Sequence, residues 1–228
     1  MIPNLSAAVR ALAPVLSDEE VVRRVRAGET ELFELLMRRH NQQLFRTVRA
    51  VLRDPEAAEE ALHRAYVAAW RGLAHFEGRA SFASWMTRIA LRTAGELARG
   101  ERRRHEIAED ARHARAFDSA EPADAALSRQ ELAAALERAL EALPRRLRVV
   151  AVMRLVEGMD TLAVAEALGL SEGAVKVRLH RARERLKEDL LVTAEREGVL
   201  ARTWAFDGER CDRIVRRVLG AIGARDEA

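Results

Sequence analysis

Cysteine occurs once in these 228 residues, at Cys211. That excludes an internal disulfide and a multi-cysteine zinc site, and fits a reducing compartment. Proline (5) and glycine (12) are scarce, so little in the chain interrupts a helix. No apolar run approaches the ~20 residues that a membrane span needs. Met1 to Leu16 carries a single basic residue, Arg10, and lacks the charged start and sharp apolar centre of a signal peptide. The expected location is therefore the cytoplasm, without membrane insertion. Alternation of apolar and polar residues is missing too, so no sheet is expected. The six histidines are scattered, with no carboxylate or thiol at metal-ligand spacing. There is no glycine-rich phosphate loop, nucleophile elbow or zinc-protease motif. No catalytic residue, metal, cofactor or small-molecule substrate is expected, and an enzyme is the least favoured class.

What is abundant is helix-forming. Ala, Leu, Arg and Glu dominate, hydrophobic residues make up 49% and charged residues 33%. The expected fold class is all-α, with enough chain for one large or two small domains. Net charge is only +3, but the positive charge is clustered and mostly arginine, which suits phosphate contacts.

The most informative stretch is residues 161–187. Leu162, Ala165 and Leu168 give a short helix one apolar face. Gly169 can take the left-handed conformation that ends it, and Ser171 is a good N-cap for the next helix. There Val175, Leu179, Ala182 and Leu186 form an inner stripe. Lys176, Arg178, His180, Arg181, Arg183, Arg185 and Lys187 occupy the remaining surface. From Glu172 to Lys187 bases outnumber acids six to two. The pattern is that of a helix-turn-helix whose second helix enters a DNA major groove. A helical hairpin with a solvated basic face is the plainer reading; the basic surface falls on the helix such a motif would read with.

Ser17 and Glu20 predict a helix that stops near Gly28. A longer helix follows, with Leu32, Leu36, His40, Leu44, Val48 and Val51 in register. Asp54-Pro55 ends it and caps the next, whose inner face is Ala58, Ala61, Leu62, Ala65, Tyr66, Ala69, Trp70 and Leu73. Glu59, Glu60, His63, Arg64 and Arg71 point outward. After an irregular connection over 74–84, a fourth helix places Phe82, Trp85, Ile89, Thr93 and Leu97 inward and Arg88, Arg92, Arg99 and Arg103 on another face. Phe76 and Phe82 flank the connection, where an aromatic can stack on an unpaired base; for Phe82 the core reading is favoured. Residues 105–127 are acidic, poor in large apolar side chains and interrupted by Pro122, and read as a flexible linker. A second capping box, Ser128 and Glu131, opens a helix lined by Leu132, Leu136, Leu140 and Leu143; Pro144 opens the next, which runs to about Gly158. Beyond Leu191 a final helix gathers Cys211, Ile214, Val215, Val218, Leu219 and Ile222 on one face, expected to pack on the second domain; the less favoured reading is a helix that gates DNA binding or meets a regulator, with Cys211 redox-sensitive.

Two helical halves, an acidic linker and a late helix-turn-helix resemble the extracytoplasmic-function sigma factors, a group within the sigma-70 family of bacterial transcription initiation factors. Phe33-Glu-Leu-Leu-Met-Arg-Arg-His40 is similar to the start of the family's region two. Asp54-Pro-Glu-Ala-Ala-Glu-Glu60, with Ala65-Tyr66 and Ala69-Trp70, resembles its polymerase-binding helix. Phe76-Glu-Gly-Arg-Ala-Ser-Phe-Ala-Ser-Trp85, with Arg88-Ile-Ala90, resembles its promoter-melting segment. Ala142-Leu-Pro144, Val156-Glu-Gly158 and Ser171 to Arg183 resemble region four. The resemblance implies an N-terminal segment with a short helix over 1–28, region two over 29–104, a linker over 105–127, region four over 128–190 and a C-terminal extension over 191–228.

The same resemblance implies function. Glu59, Glu60, His63 and Arg64 would dock on core RNA polymerase, through its beta-prime subunit, with the beta subunit also a partner. Phe76, Arg79, Ser81, Trp85, Arg88 and Arg92 would meet the minus-ten element of promoter DNA. Ser171, Glu172, Lys176, Val177, Arg178, His180, Arg181 and Arg183 would meet the minus-thirty-five element. An anti-sigma factor is a further partner in the family. Two positions depart from its pattern. His63 and Arg64 stand where a glutamine and an acid usually precede the Ala-Tyr pair, and Arg92 stands where an asparagine often captures a base. The alternatives are a helix-turn-helix regulator that acts without polymerase, and an adaptor that binds only proteins.

Overall fold

The computed structural model describes residues 16–108, 128–186 and 188–226; for 101–108, 188, 189 and 224–226 it describes the backbone only. Residues 1–15 of the expected N-terminal segment and 109–127 of the expected linker lie outside the described residues. No strand occurs among the described residues.

Short polar side chains start the helices. Helix α1 (Asp18–Arg26) begins where the Ser17 hydroxyl accepts from the Glu20 amide at 3.2 Å. A 3₁₀ turn over Thr30–Leu32 leads into α2 (Phe33–Arg49). Helix α3 (Pro55–Gly72) starts with the Asp54 carboxylate accepting from the Ala57 amide at 2.7 Å, and with Pro55 in the first turn, where no N–H is needed. A 3₁₀ turn over Leu73–His75 and an irregular segment lead to α4 (Phe82–Ala108), which continues into the stretch expected as linker.

These four helices form a bundle around Phe33, Leu36, Leu44, Phe45, Leu62, Tyr66, Phe82 and Met86. The Phe33 ring stands edge-on to Tyr66, with centroids 6.2 Å apart. One expected stripe is displaced. In α4 the fully buried line is Phe82, Met86, Ala90 and Ala94, whereas Trp85, Ile89, Thr93 and Leu97 flank it half-buried. The small side chains of Ala90 and Ala94 face an alanine-rich α3, where Ala58, Ala61, Ala65 and Ala69 are also buried. Small residues on both sides let two backbones approach closely, so the tightest line carries the least bulk.

The second half opens with α5 (Arg129–Ala142), whose capping box has both hydrogen bonds, Glu131 amide to Ser128 hydroxyl at 3.3 Å and Ser128 amide to Glu131 carboxylate at 2.8 Å. Helix α6 (Arg145–Ala151) widens into a π-like turn over Val152–Val156. Then come α7 (Thr161–Leu168), α8 (Glu172–Leu186) and α9 (Glu188–Arg196). Their core is built on Leu136, Leu140, Val150, Met153, Val164, Val175, Ala182 and Leu186, sealed by Ala194, Val199 and Trp204.

The final helix, α10 (Gly208–Asp226), does not stay with the second half. It returns to the first bundle and lies along α2 and α3. Ile214, Val215, Val218 and Ile222 join that core, with Cys211 and Leu219 half-buried at its edge. The apolar face is the expected one; its partner is not. An amphipathic stripe states that one face must be covered, and is silent on which surface covers it.

The halves are held together by polar contacts from α2. Buried Arg148 of α6 donates from Nε to the Ala50 carbonyl at 2.7 Å, and from Nη1 to the Glu141 and Leu143 carbonyls at 3.0 and 3.1 Å. Arg46 pairs with Glu157 at 3.3 Å, and Arg49 with Glu141 at 3.1 Å. The Arg49 guanidinium also lies 5.2 Å from the centre of the Trp204 ring.

Candidate nucleic-acid interface

Helix α8 is set by its two ends. Gly169 ends α7 at φ +63°, the left-handed conformation that lets the chain turn sharply. Ser171 then accepts from the Ala174 amide at 3.2 Å and starts α8. Val175, Ala182 and Leu186 anchor the inner side, with Leu179 half-buried between them. The outer side carries Lys176, Val177, His180, Arg181, Arg183 and Arg185, all exposed, with Ser171 and Glu172 exposed at its N-terminal end. Arg178 is half-buried at the margin. Val177 is 50% exposed, an apolar side chain in the middle of a basic surface. His180 sits 3.5 Å from Glu184 one turn on. In α7, Ala165 is buried and Leu168 half-buried as expected, but Leu162 is 56% exposed; Val164 fills the inner position instead.

The second expected cluster, between α3 and α4, divides. Arg79, Ser81, Arg88 and Arg92 are exposed, and Trp85 is half-buried. Arg79 pairs with Glu77 at 2.6 Å and Arg92 with Glu96 at 3.1 Å, contacts loose enough for a phosphate to replace. Ser81 accepts from the Ser84 amide at 3.2 Å and so starts α4. Phe76 is buried instead of open to a base. Its ring packs against Trp85 at 5.1 Å and Phe82 at 6.1 Å, and Arg26 donates to its carbonyl at 3.4 Å. In this arrangement Phe76 holds the connection in place, and Phe82 is core.

The third expected set lies on the outer side of α3 and is covered in part. Glu59 accepts from Arg210 at 2.6 Å and Arg213 at 3.0 Å, both on α10. Glu60 accepts from Arg217 of α10 at 2.6 Å and from Arg64 at 2.7 Å. Burial alone would raise both carboxyl groups; the arginine hydrogen bonds overcome it and hold them below their ordinary value. His63, half-buried beside them, is shifted down, first by burial and then by the Arg217 charge. Arg64 stays exposed. Arg210, Arg213 and Arg217 were missed from the sequence as site residues. Their spacing of three and four residues marks one helix ridge beside the apolar stripe, which was the available signal.

The family model for sigma-70 region 2 matches residues 36–104, and that for sigma-70 region 4 matches residues 133–186. The ECF RNA polymerase sigma factor SigM of Mycobacterium tuberculosis (strain H37Rv) is 34% identical over 170 residues, covering 75% of this chain and 83% of that protein. The chain belongs to the extracytoplasmic-function sigma factors of the sigma-70 family. A further relative in the same family, RNA polymerase sigma-H factor of Pseudomonas aeruginosa, is 29% identical over 180 residues, covering 76% of this chain and 93% of that one. The solved structure of CnrH in complex with the cytosolic domain of CnrY shares the fold at a TM-score of 0.54 and 26% identity, over 77% of this chain and 97% of that one. In this sigma factor the region 2 match runs from α2 into α4, within the bundle that α1 and α10 also join, and the region 4 match runs from α5 to the end of α8, with α9 packed against it.

No helix among the described residues is long and apolar enough to cross a membrane.

Proposed function

We propose that this sigma factor binds core RNA polymerase through region two and directs it to promoters by reading DNA with both of its regions. The observation that carries the reading is an exposed basic face on α8, seated on a region-four core, in the same chain as a region-two bundle. In this reading Lys176, Val177, His180 and Arg181 meet base edges of the minus-thirty-five element in the major groove. Arg178, Arg183 and Arg185 hold phosphates, which set affinity without reading sequence, and Ser171 and Glu172 lie where the helix end enters the groove. Arg79, Ser81, Trp85, Arg88 and Arg92 meet the minus-ten element, where an unstacked base costs a few kcal/mol that protein contacts offset. Glu59, Glu60, His63 and Arg64 form the docking face for the beta-prime subunit. The protein contributes recognition and not a reaction of its own, and works in the cytoplasm, where polymerase and chromosome are. Its structural relative CnrH was solved in complex with the cytosolic domain of another protein, CnrY, and an anti-sigma factor is the corresponding partner in this reading.

Run-off transcription with core polymerase tests this. The expected result is a complex and promoter-specific transcripts. DNA binding with neither complex nor transcript would leave the regulator that acts without polymerase.

A further inference from the structure

The acidic side chains that region two would offer to polymerase are already in use. Glu59 is only 14% exposed and takes two arginines, and Glu60 takes a third from the same helix. Around them α10 is fitted closely. Arg38 pairs with Asp212 at 2.8 Å, buried Asn41 donates to the Cys211 sulfur at 3.2 Å, and Arg210 stacks 4.7 Å from the centre of the Phe45 ring. Beneath the arginine ridge, Ile214 and Val218 are fully buried. The helix is a basic amphipathic segment whose charge and shape match the outer face of α3. It is tethered close by, since Trp204 is anchored in the region-four core and α10 begins four residues later.

We propose that α10 is an intramolecular competitor for polymerase: it occupies the docking face of region two, and core enzyme binds only when the helix is displaced. This rests on the reading of Glu59 and Glu60 as polymerase-docking residues. A competitor on a short tether acts at an effective concentration in the millimolar range, set by the length of the tether. A partner that needs the same carboxylates therefore meets a face that is nearly always filled. Displacement exchanges one set of charge-assisted pairs for another and uncovers an apolar strip on α2 and α3, which the incoming surface must then cover.

The test uses the full chain and core RNA polymerase. In one variant Arg210, Arg213 and Arg217 are all changed to Glu, which sets like charges against Glu59 and Glu60. In a second, Val218→Glu places a charge in the apolar contact and frees the helix by another route. Hydrogen exchange over residues 208–226 reports release. Both variants are expected to lose protection there, to bind core enzyme about tenfold or more tightly than wild type, and to give more run-off transcript. Release with unchanged or weaker polymerase binding would overturn the competitor while leaving the sigma function standing on the wild-type transcript. Continued protection in both variants would also overturn it, because the helix would then not be a separable contact. If neither wild type nor variants bind polymerase, the docking reading fails and the competitor with it.

Discussion

Arg181 and Arg185 sit one turn apart on α8, both exposed and both basic, yet their expected roles differ. In the proposed reading Arg181 meets a base edge and Arg185 a phosphate. Arg181→Ala should cost about 1–3 kcal/mol on the preferred minus-thirty-five sequence and little on a scrambled one, measured by competition binding. Arg185→Ala should weaken binding by similar factors on every sequence and flatten the salt dependence by about one ion. His63 gives a prediction of another kind. Its ring faces Arg217 of α10, with Glu60 and Arg64 on its own helix, and its pKa is below the ordinary value. A histidine depressed in the docked state favours docking in its neutral form. That contribution is complete above the free-state pKa near 6.5 and is lost as pH falls below it. Protection of the α10 amides, corrected for the slower intrinsic exchange at lower pH, should therefore fall as pH drops from 7.5 to 5.5, and His63→Gln should remove the change. Glu59 and Glu60 titrate lower, because their pairs hold them below the usual carboxylate range.

At the scale of elements, the helix-turn-helix obeys local rules throughout. Gly169 has open space around its missing side chain, so Gly169→Ala tests the backbone alone. The left-handed conformation should cost about 1–2 kcal/mol in thermal or denaturant unfolding. Ser171→Ala removes the α8 cap and should cost about 0.5–2 kcal/mol. These features were legible because each depends on residues within one or two turns. The stripe of α4 was legible only to within a residue. Periodicity favoured the bulky line through Trp85, Ile89 and Leu97, while packing chose the small one through Ala90 and Ala94 so that α3 could come close. Phe76 escaped sequence reading for a related reason. An aromatic in an irregular connection looks available for stacking, and whether it is depends on the rings of Phe82 and Trp85 beside it.

Across the whole molecule, the two DNA-reading regions are not independent. Arg148 binds three carbonyls, one of them on the far side of the junction, and burial lowers its pKa to about 10, still well above neutrality. Arg148→Ala leaves those acceptors unsatisfied and should destabilise the protein by at least about 1–3 kcal/mol, lowering Tm by roughly 2–4 °C for each kcal/mol in a chain of this size. It should also loosen region four from region two, which differential hydrogen exchange in α2 and α6 would show. The Arg46–Glu157 pair is also largely buried. Burial raises the Glu157 carboxyl despite the nearby arginine, so this contact contributes more to how the halves align than to net stability.

The sequence by itself determined most of the helices, their caps, the basic outer face of α8 and the family. All of these rest on periodicity, turn chemistry and motifs written in contiguous residues. Where α10 lies, which line of α4 is innermost, the burial of Phe76 and the joining of the two regions through Arg148 were decided only by the tertiary structure. Each of these is a choice among several surfaces able to cover the same apolar or charged side chains. That choice is made by shape and charge between segments distant in the chain, such as Glu59 and Arg210, and no local pattern records it.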